Sequence, residues 1–441
     1  MTKNDQGLVP KLQELLCHVR KSGIAQADLS VANETGFSVS ARMGDVETLE
    51  HHQSTDVTLT LYDQQRTASA SASELSESGL LALFEKARSM IRFVDVDPYS
   101  GLPNPEDMAT DYPLLNLSHP WPLTPAEAIE KALLCDDLAR SQDVRIAQCK
   151  SATVSTYARE DYYLNTHDFV GVYPSTYHAM SCGVVAKDPQ GMERDSEFTC
   201  ARDPLQLKTS AWLAEQAAKK SIARLSARRL STRECPVLFA PEVAKSVIAH
   251  LLGALRGSAL YRGLSFLKDS LGQSCFSPNL TLYQRPHLDS GYASAPFDEQ
   301  GVRTQDNTFI DAGCVKSYIL DAYSARRLDL QATGNAGGAF NLFVQPGDDD
   351  FSALLSKMDT GFLVTELMGQ GVDLLTGTYS RGASGFWVSN GKIQHPVHEM
   401  TIAGNLKEMM TSLSAVGADV DMRTNIKTGS LLVPVMTISG T

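Results

Sequence analysis

Residues 365–405 read TELMGQGVDLLTGTYSRGASGFWVSNGKIQHPVHEMTIAGN. Glycines recur at 369, 371, 377, 382, 385 and 391, and short apolar runs alternate with them: Phe362–Leu367, Val372–Leu375, Gly385–Val388 and Ile393–Val397. Asn390 and Gly391 stand between two of these runs. Both tolerate positive φ, so the pair predicts a two-residue hairpin turn. The stretch therefore predicts a glycine-punctuated antiparallel sheet, a prediction about fold and not about activity.

Working outward, the second half of the chain keeps a mainly-β character. A strand is predicted at Val237–Ala240, and Pro241 opens a helix that runs to about Gly257. Further strands are predicted at Leu280–Tyr283, Asn307–Ala312, Ser317–Asp321, Phe340–Val344 and Leu431–Ile438, with one helix at Phe351–Met358. The first half reads helix, sheet, helix, sheet, helix. Leu8, Leu12, Leu15, Leu16 and Val19 line one face of a helix over 8–21. Alternating segments follow at Asp28–Asn33, Gly36–Arg42, Val57–Tyr62 and Thr67–Ala72, then a helix at about Ser76–Arg92. Thr124-Pro125-Ala126-Glu127 is a capping box that starts a helix ending near Ser141. Strands at Val144–Thr156, Asp161–Leu164, Phe169–Tyr173 and Ala179–Ala186 lead to a helix at about Leu205–Leu230. No strand–helix alternation of the parallel, doubly wound kind is present, and no internal repeat is detectable. The expected class is α+β. An N-terminal domain, 1–230, mixes antiparallel sheet and helices and has a possible break near 95–120. A mainly-β C-terminal domain, 231–441, follows, with STRECP (231–236) as the boundary.

The 441 residues are 43% hydrophobic and 20% charged, with a net charge of −12. That balance opposes a large non-specific hold on nucleic acid. The basic run Lys219, Lys220, Arg224, Arg228, Arg229 and Arg233 is read as a solvated helix face and linker, with a nucleic-acid or acidic-partner patch as the alternative. The eight cysteines show no C-x-x-C spacing, and no apolar run approaches the length of a membrane span. The N-terminus carries no secretory pattern, so a cytoplasmic location is expected.

Residues 376–405, TGTYSRGASGFWVSNGKIQHPVHEMTIAGN, closely resemble the C-terminal signature of the TldD/PmbA family, once called modulators of DNA gyrase and understood as cytoplasmic metallopeptidases. The likeness extends to DAYSARRLDLQATGNAGG (321–338), SAPFDEQGV (294–302), SALYRGLSFLKDSLGQ (258–273) and DPYSGLPN (97–104). Within the family it points to the PmbA/TldE branch. In the TldD branch, the resemblance implies, zinc is held by a His-Glu-x-x-x-His helix and a cysteine near the C-terminus. Aligned through Gly257, Gly263 and Ser265, Ile248 takes the place of the first histidine, Ala249 of the glutamate and Gly253 of the second histidine. Aligned through Val433-Pro434, Ile426 takes the place of the cysteine. None of the four offers a ligand or a proton carrier.

Other candidates are read as structural. His250 lacks a ligand one helical turn away, since Ser246 and Ala254 stand there. His395 and His398 at i, i+3 on a strand face opposite sides. His51-His52 reads as a surface pair, and Asp348-Asp349-Asp350 as an acidic lead into the Phe351 helix. Gly385–Lys392 is one residue too long for a phosphate loop, and Gly382–Gly385 is too tight for a nucleophile elbow. The expectation is therefore no catalytic, cofactor-binding or metal-ligating residue in this chain. The resemblance implies zinc in a TldD-like partner, a heterodimer with it, a homodimer when the chain is expressed alone, and an unfolded peptide as substrate. The glycine-rich strands suggest a backbone edge on which a peptide could pair. The alternatives are a self-sufficient hydrolase near His395 and His398, or a regulator that binds gyrase or a toxin–antitoxin protein.

Overall fold

The computed structural model describes residues 5–440. Its first half is one long antiparallel sheet with four helices on a single face. Helix α1 (Asp5–Lys21) precedes strands β1 (Gln26–Arg42), β2 (Asp45–Asp63) and β3 (Arg66–Ala72), and α2 (Glu77–Ile91) closes the unit. The same order then recurs: α3 (Pro125–Ser141), β4 (Ile146–Asn165), β5 (Val170–Asp188), β6 (Gly191–Ala201) and α4 (Ser210–Ala223). The sheet order β3-β2-β1-β4-β5-β6 is symmetric about the β1–β4 pair, which runs in register from Asp28↔Asn165 to Ala41↔Ala152. No sequence repeat is read, yet the α-β-β-β-α topology occurs twice. Buried positions alternate along strands of both units.

That pattern fixes the packing. Leu29, Val31, Val39 and Ala41 of β1 alternate onto the helix-covered face. Leu12, Leu16, Leu83 and Phe84 from α1 and α2 fill one half of the core, and Ala132, Cys135, Leu213 and Ala217 from α3 and α4 fill the other. The opposite face keeps Ser30, Asp56, Thr58, Arg159 and Asp161. Because its residues are polar, segments that sequence reading separates are single long strands: Asp28–Asn33 and Gly36–Arg42 merge in β1, and the two halves of β4 and of β5 merge likewise. Strand β6 went unpredicted, since its charged residues break the apolar alternation. The helix expected over 205–230 is shorter. The Thr209 side chain caps it by accepting from Trp212 N, and Ser226 turns the chain left-handed beyond it.

The second half begins with β7 (Arg233–Phe239), α5 (Pro241–Leu255) and α6 (Gly257–Tyr261). Short strands β8 (Leu282–Gln284), β9 (Asn307–Asp311) and β10 (Cys314–Val315) follow, then α7 (Ala322–Leu328), β11 (Leu342–Val344) and α8 (Phe351–Met358). Strands β12 (Gly361–Met368), β13 (Thr378–Ser389) and β14 (Lys392–Asn405), helix α9 (Leu406–Thr411) and strands β15 (Ala415–Val416), β16 (Ile426–Lys427) and β17 (Leu431–Ser439) complete it. Strands β14-β13-β12-β7-β17 form a sheet, and β14 also pairs with β17 through Thr401–Ala403, closing it into a barrel. A smaller sheet, β10-β9-β8-β11-β16, lies beside it. The chain is α+β.

Asn390 (φ 52°) and Gly391 (φ 67°) make the expected turn between β13 and β14. Two predicted strands do not form. Residues 317–321 make one bridge, Arg256↔Ile319. Residues 372–375 likewise make one bridge, Val372↔Tyr379, and then turn, because the Asp373 carboxylate accepts from the backbone N–H groups of Leu375 and Thr376. The edge expected of the glycine-rich strands is also corrected. β13 is flanked by β12 and β14, and a Cβ on Gly385 would lie 1.9 Å from Leu363 O. The glycine there admits a neighbouring strand of the barrel itself.

Candidate functional site

Helix α5 packs against β12 and β16 with Val243, Val247, Ile248, Leu251 and Leu255 buried. Pro241 at its first position sets the entry, and β7 before it is held between β12 and β17. The four aligned positions can now be placed. Ile248 is fully buried in the main apolar core, whereas Ala249 is exposed on the same helix. A Cβ on Gly253 would meet Leu374 Cδ1 at 2.9 Å, so the space of a second histidine is filled. Leu374 comes from the coiled segment 372–375, pinned where Phe266 N donates to Leu374 O. Ile426 is half-buried in β16 against the same core.

The charges nearby also oppose a dication. Arg381 of β13 donates to Ser246 Oγ at 2.5 Å, one helical turn before His250. Burial and the Arg381 charge together hold His250 below its ordinary pKa, and its Nε2 has no partner among the described residues. The Tyr379 ring stands edge-on to it, and burial pushes the Tyr379 phenol up to about 12. Beside Ile426, Lys427 is buried. Its ammonium donates to Asn341 Oδ1 and Thr424 O and sits over the Phe343 ring. Burial, reinforced by Lys245, lowers Lys427 to about 8. Apart from Asp421, which Lys245 and Arg423 neutralise, neutral or cationic side chains thus surround the aligned positions, and the residues present do not fit a zinc ion. Among the described residues, no group of three or more His, Cys, Asp or Glu is gathered to hold a metal. Sequence reading missed Leu374, Arg381 and Lys427, because their approach to α5 depends on the barrel's closure.

The remaining candidates do not converge. His398 Nδ1 meets Glu193 Oε1 at 3.1 Å, while His395 Nδ1 faces Pro396 O. His52 pairs with Glu34, and His51 packs near Phe37. Asp350 caps α8 by accepting from Ala353 N, and Asp349 pairs with Lys357. In the basic run, Lys219 lies on Glu215, Lys220 on Glu197 and Glu242, Arg224 on Asp195 and Glu366, and Arg229 on Glu399. Arg233 covers the Trp387 ring.

A second charged cluster joins the two halves. Arg423 bonds Glu197 and Asp421, Lys245 bonds Asp421, and Lys220 bonds Glu197. Burial alone would raise both Asp421 and Glu197. Hydrogen bonds from Arg423 and Lys245 outweigh it for Asp421, and those involving Lys220 outweigh it for Glu197, so both stay below the ordinary carboxylate range.

Comparison with known proteins covers nearly the whole chain. Residues 27–91 match PmbA/TldA metallopeptidase domain 1, residues 118–225 the PmbA/TldA metallopeptidase central domain, and residues 232–440 the PmbA/TldA metallopeptidase C-terminal domain. The Escherichia coli O157:H7 protein named Metalloprotease PmbA is 42% identical over 414 residues, 94% of this chain and 92% of that protein. A Haemophilus influenzae homolog of it is 40% identical, with the same coverage. In structure, a Bacteroides thetaiotaomicron protein described as a candidate modulator of DNA gyrase superposes with a TM-score of 0.93 at 24% identity, covering 100% of both chains. TldE from Thermococcus kodakarensis superposes at 0.85 with 20% identity, covering 98% of this chain and 100% of its own. These two likenesses are of fold.

Proposed function

This chain belongs to the PmbA/TldD metallopeptidase family, and from that premise we propose that it is the PmbA/TldE-like subunit of a TldD/TldE-type peptidase. In this reading it binds no zinc itself and helps to admit and hold unfolded or modified peptide, which a TldD-like partner cleaves. The observation that carries the proposal is the donor set. Ile248, Ala249, Gly253 and Ile426 stand where the family's zinc machinery aligns, and none can ligate or move a proton. The filling of the Gly253 space by Leu374 supports it, since a histidine there needs that leucine displaced. The name Metalloprotease, carried by the relatives, then describes an activity of the assembly. A domain boundary at 231–236 and a cytoplasmic location belong to the same proposal. The free state of all eight cysteines suits a reducing compartment.

The test is metal analysis and a peptidase assay on this chain, on a TldD-like chain and on their mixture. We expect zinc only with the TldD-like chain, cleavage by the mixture, and none by this chain alone. Stoichiometric zinc in the isolated chain, with cleavage that His398→Ala abolishes, overturns the reading in favour of a self-sufficient hydrolase. Capture of gyrase but no TldD-like chain in a pull-down overturns it in favour of a regulator.

A further inference from the structure

Strand β2 outruns the strand on its outer side. β3 pairs with it only from Val57 to Asp63, whereas β1 pairs with it along its whole length. Residues 45–56 are therefore held on one side alone. Among the described residues, no bridge and no backbone hydrogen bond reaches their outer edge. Every residue from Asp45 to Gln53 is exposed. Such an edge presents a row of unmet N–H and C=O groups, a template for one more strand.

The second unit of the sheet shows how a matching edge is covered. β5 takes the place of β2 in the duplicated order, and β6 pairs with it only from His178 to Asp188. The stretch of β5 left over, 170–177, is met by the connector between α2 and α3. Thr176 N donates to Leu117 O, and Thr176 Oγ1 accepts from His119 N. Leu115 and Leu117 of that connector are buried, and Asn116 between them is exposed. No segment among the described residues does the same for β2.

The side chains of the bare stretch select what fits it. Residues opposite one another in an antiparallel pair share a face. Val46 stands opposite Ala41 and Leu49 opposite Val39, so both point to the helix-covered side, yet they are 42% and 43% exposed. The stretch also carries Asp45, Glu47, Glu50 and Asp56, and no lysine or arginine. Of these four, only Glu47 has an ion pair among the described residues, with Arg42 of β1. Edge-to-edge pairing of two copies would set carboxylates against carboxylates. A strand that alternates apolar with basic residues covers Val46 and Leu49 and meets the acidic side chains with opposite charge.

We propose that residues 45–56 of β2 dock an extended segment of another polypeptide, one that alternates apolar residues with lysine or arginine and joins the sheet as an added strand. Backbone hydrogen bonds hold it, and the side chains choose it. The inference stands apart from the proposed function, because the docking needs neither cleavage nor a TldD-like chain.

The experiment measures fluorescence anisotropy of labelled peptides with the full chain at low salt, followed by hydrogen-exchange mass spectrometry of the complex. The probes are an N-acetylated, C-amidated nonapeptide alternating valine with lysine, the same peptide with glutamate for lysine, and the lysine peptide N-methylated at its three central residues. We expect the lysine peptide to bind about tenfold tighter than the glutamate peptide, the scale of a few cross-strand charge pairs. The N-methylated peptide should lose binding, since its backbone cannot pair, and this arm needs no variant. Exchange should slow in 45–56 and not in β3 or β6. D45K/E50K, with an unchanged thermal melt, should reverse the preference in favour of the glutamate peptide. Equal binding of the N-methylated peptide, slowed exchange at β3 or β6 instead, or an unaltered preference in D45K/E50K each overturns the proposal. Protection of 45–56 without peptide that disappears on dilution overturns it in favour of a second copy of this chain.

Discussion

Gly253 and Ile248 carry the argument at the scale of single residues. A histidine at 253 must displace Leu374, whose Cδ1 stands 2.9 Å from the position of its Cβ. Gly253→His is therefore expected to cost about 1–3 kcal/mol by overpacking, read as a lower urea midpoint, with no gain in zinc affinity. Ile248→His would bury imidazole nitrogens in an apolar core and should also lower the midpoint. His250 makes a prediction about pH. Its folded pKa lies below the unfolded value, so the unfolded chain binds more protons as the medium is acidified. Its contribution to stability is present above about pH 6.5, the ordinary histidine value, and is lost as pH falls below it. Histidine NMR should place its midpoint below that of an exposed histidine, and His250→Gln should weaken the loss of stability between pH 7 and pH 5.

The elements show how locally coded features hold a frame whose closure is not local. Helix α3 begins with a complete capping box: Thr124 Oγ1 accepts from Glu127 N, and the Glu127 carboxylate accepts from Thr124 N. Thr124→Ala should destabilise the chain by about 1 kcal/mol, measured by chemical denaturation, because the Oγ1 that accepts from Glu127 N is lost while the backbone N–H of residue 124 remains. The β13–β14 hairpin is equally local, set by two residues of positive φ. The barrel that this hairpin enters is not. It requires β7, β12 and β17 from 233–239, 361–368 and 431–439 to meet, with β7 and β12 parallel.

Across the whole molecule, the two halves are joined by charges that sequence order separates by some two hundred residues. Arg423 and Lys245 of the C-terminal half reach Asp421, and Arg423 also reaches Glu197 on β6. Both carboxylates have depressed pKa values. Their stabilisation is therefore present above the unfolded carboxylate range, near pH 4, and is lost as pH falls through it. The urea midpoint should drop on acidification from about pH 5 to about pH 2, and Arg423→Ala should flatten that dependence while lowering the midpoint at pH 7. A cluster that only decorates the surface would leave the pH profile of the variant parallel to that of the parent.

Periodicity and turn chemistry determined much of this protein from the sequence alone. The capping box at Thr124, the Asn390-Gly391 turn, the α8 helix and the amphipathic α1 are each written within a few neighbouring residues, whose backbone preferences act without distant help. Once the family resemblance supplies the alignment, the want of a donor at 248, 249, 253 and 426 is legible as well, since donating ability is a property of the residue type. Only the tertiary structure decided what occupies those positions: Leu374 over Gly253, Lys427 beside Ile426 and Arg381 beside His250. It alone shows the duplicated N-terminal sheet and the meeting of Arg423 with Glu197. Such features depend on strand pairing between distant segments, where the energy comes from closing the chain on itself and not from any local preference.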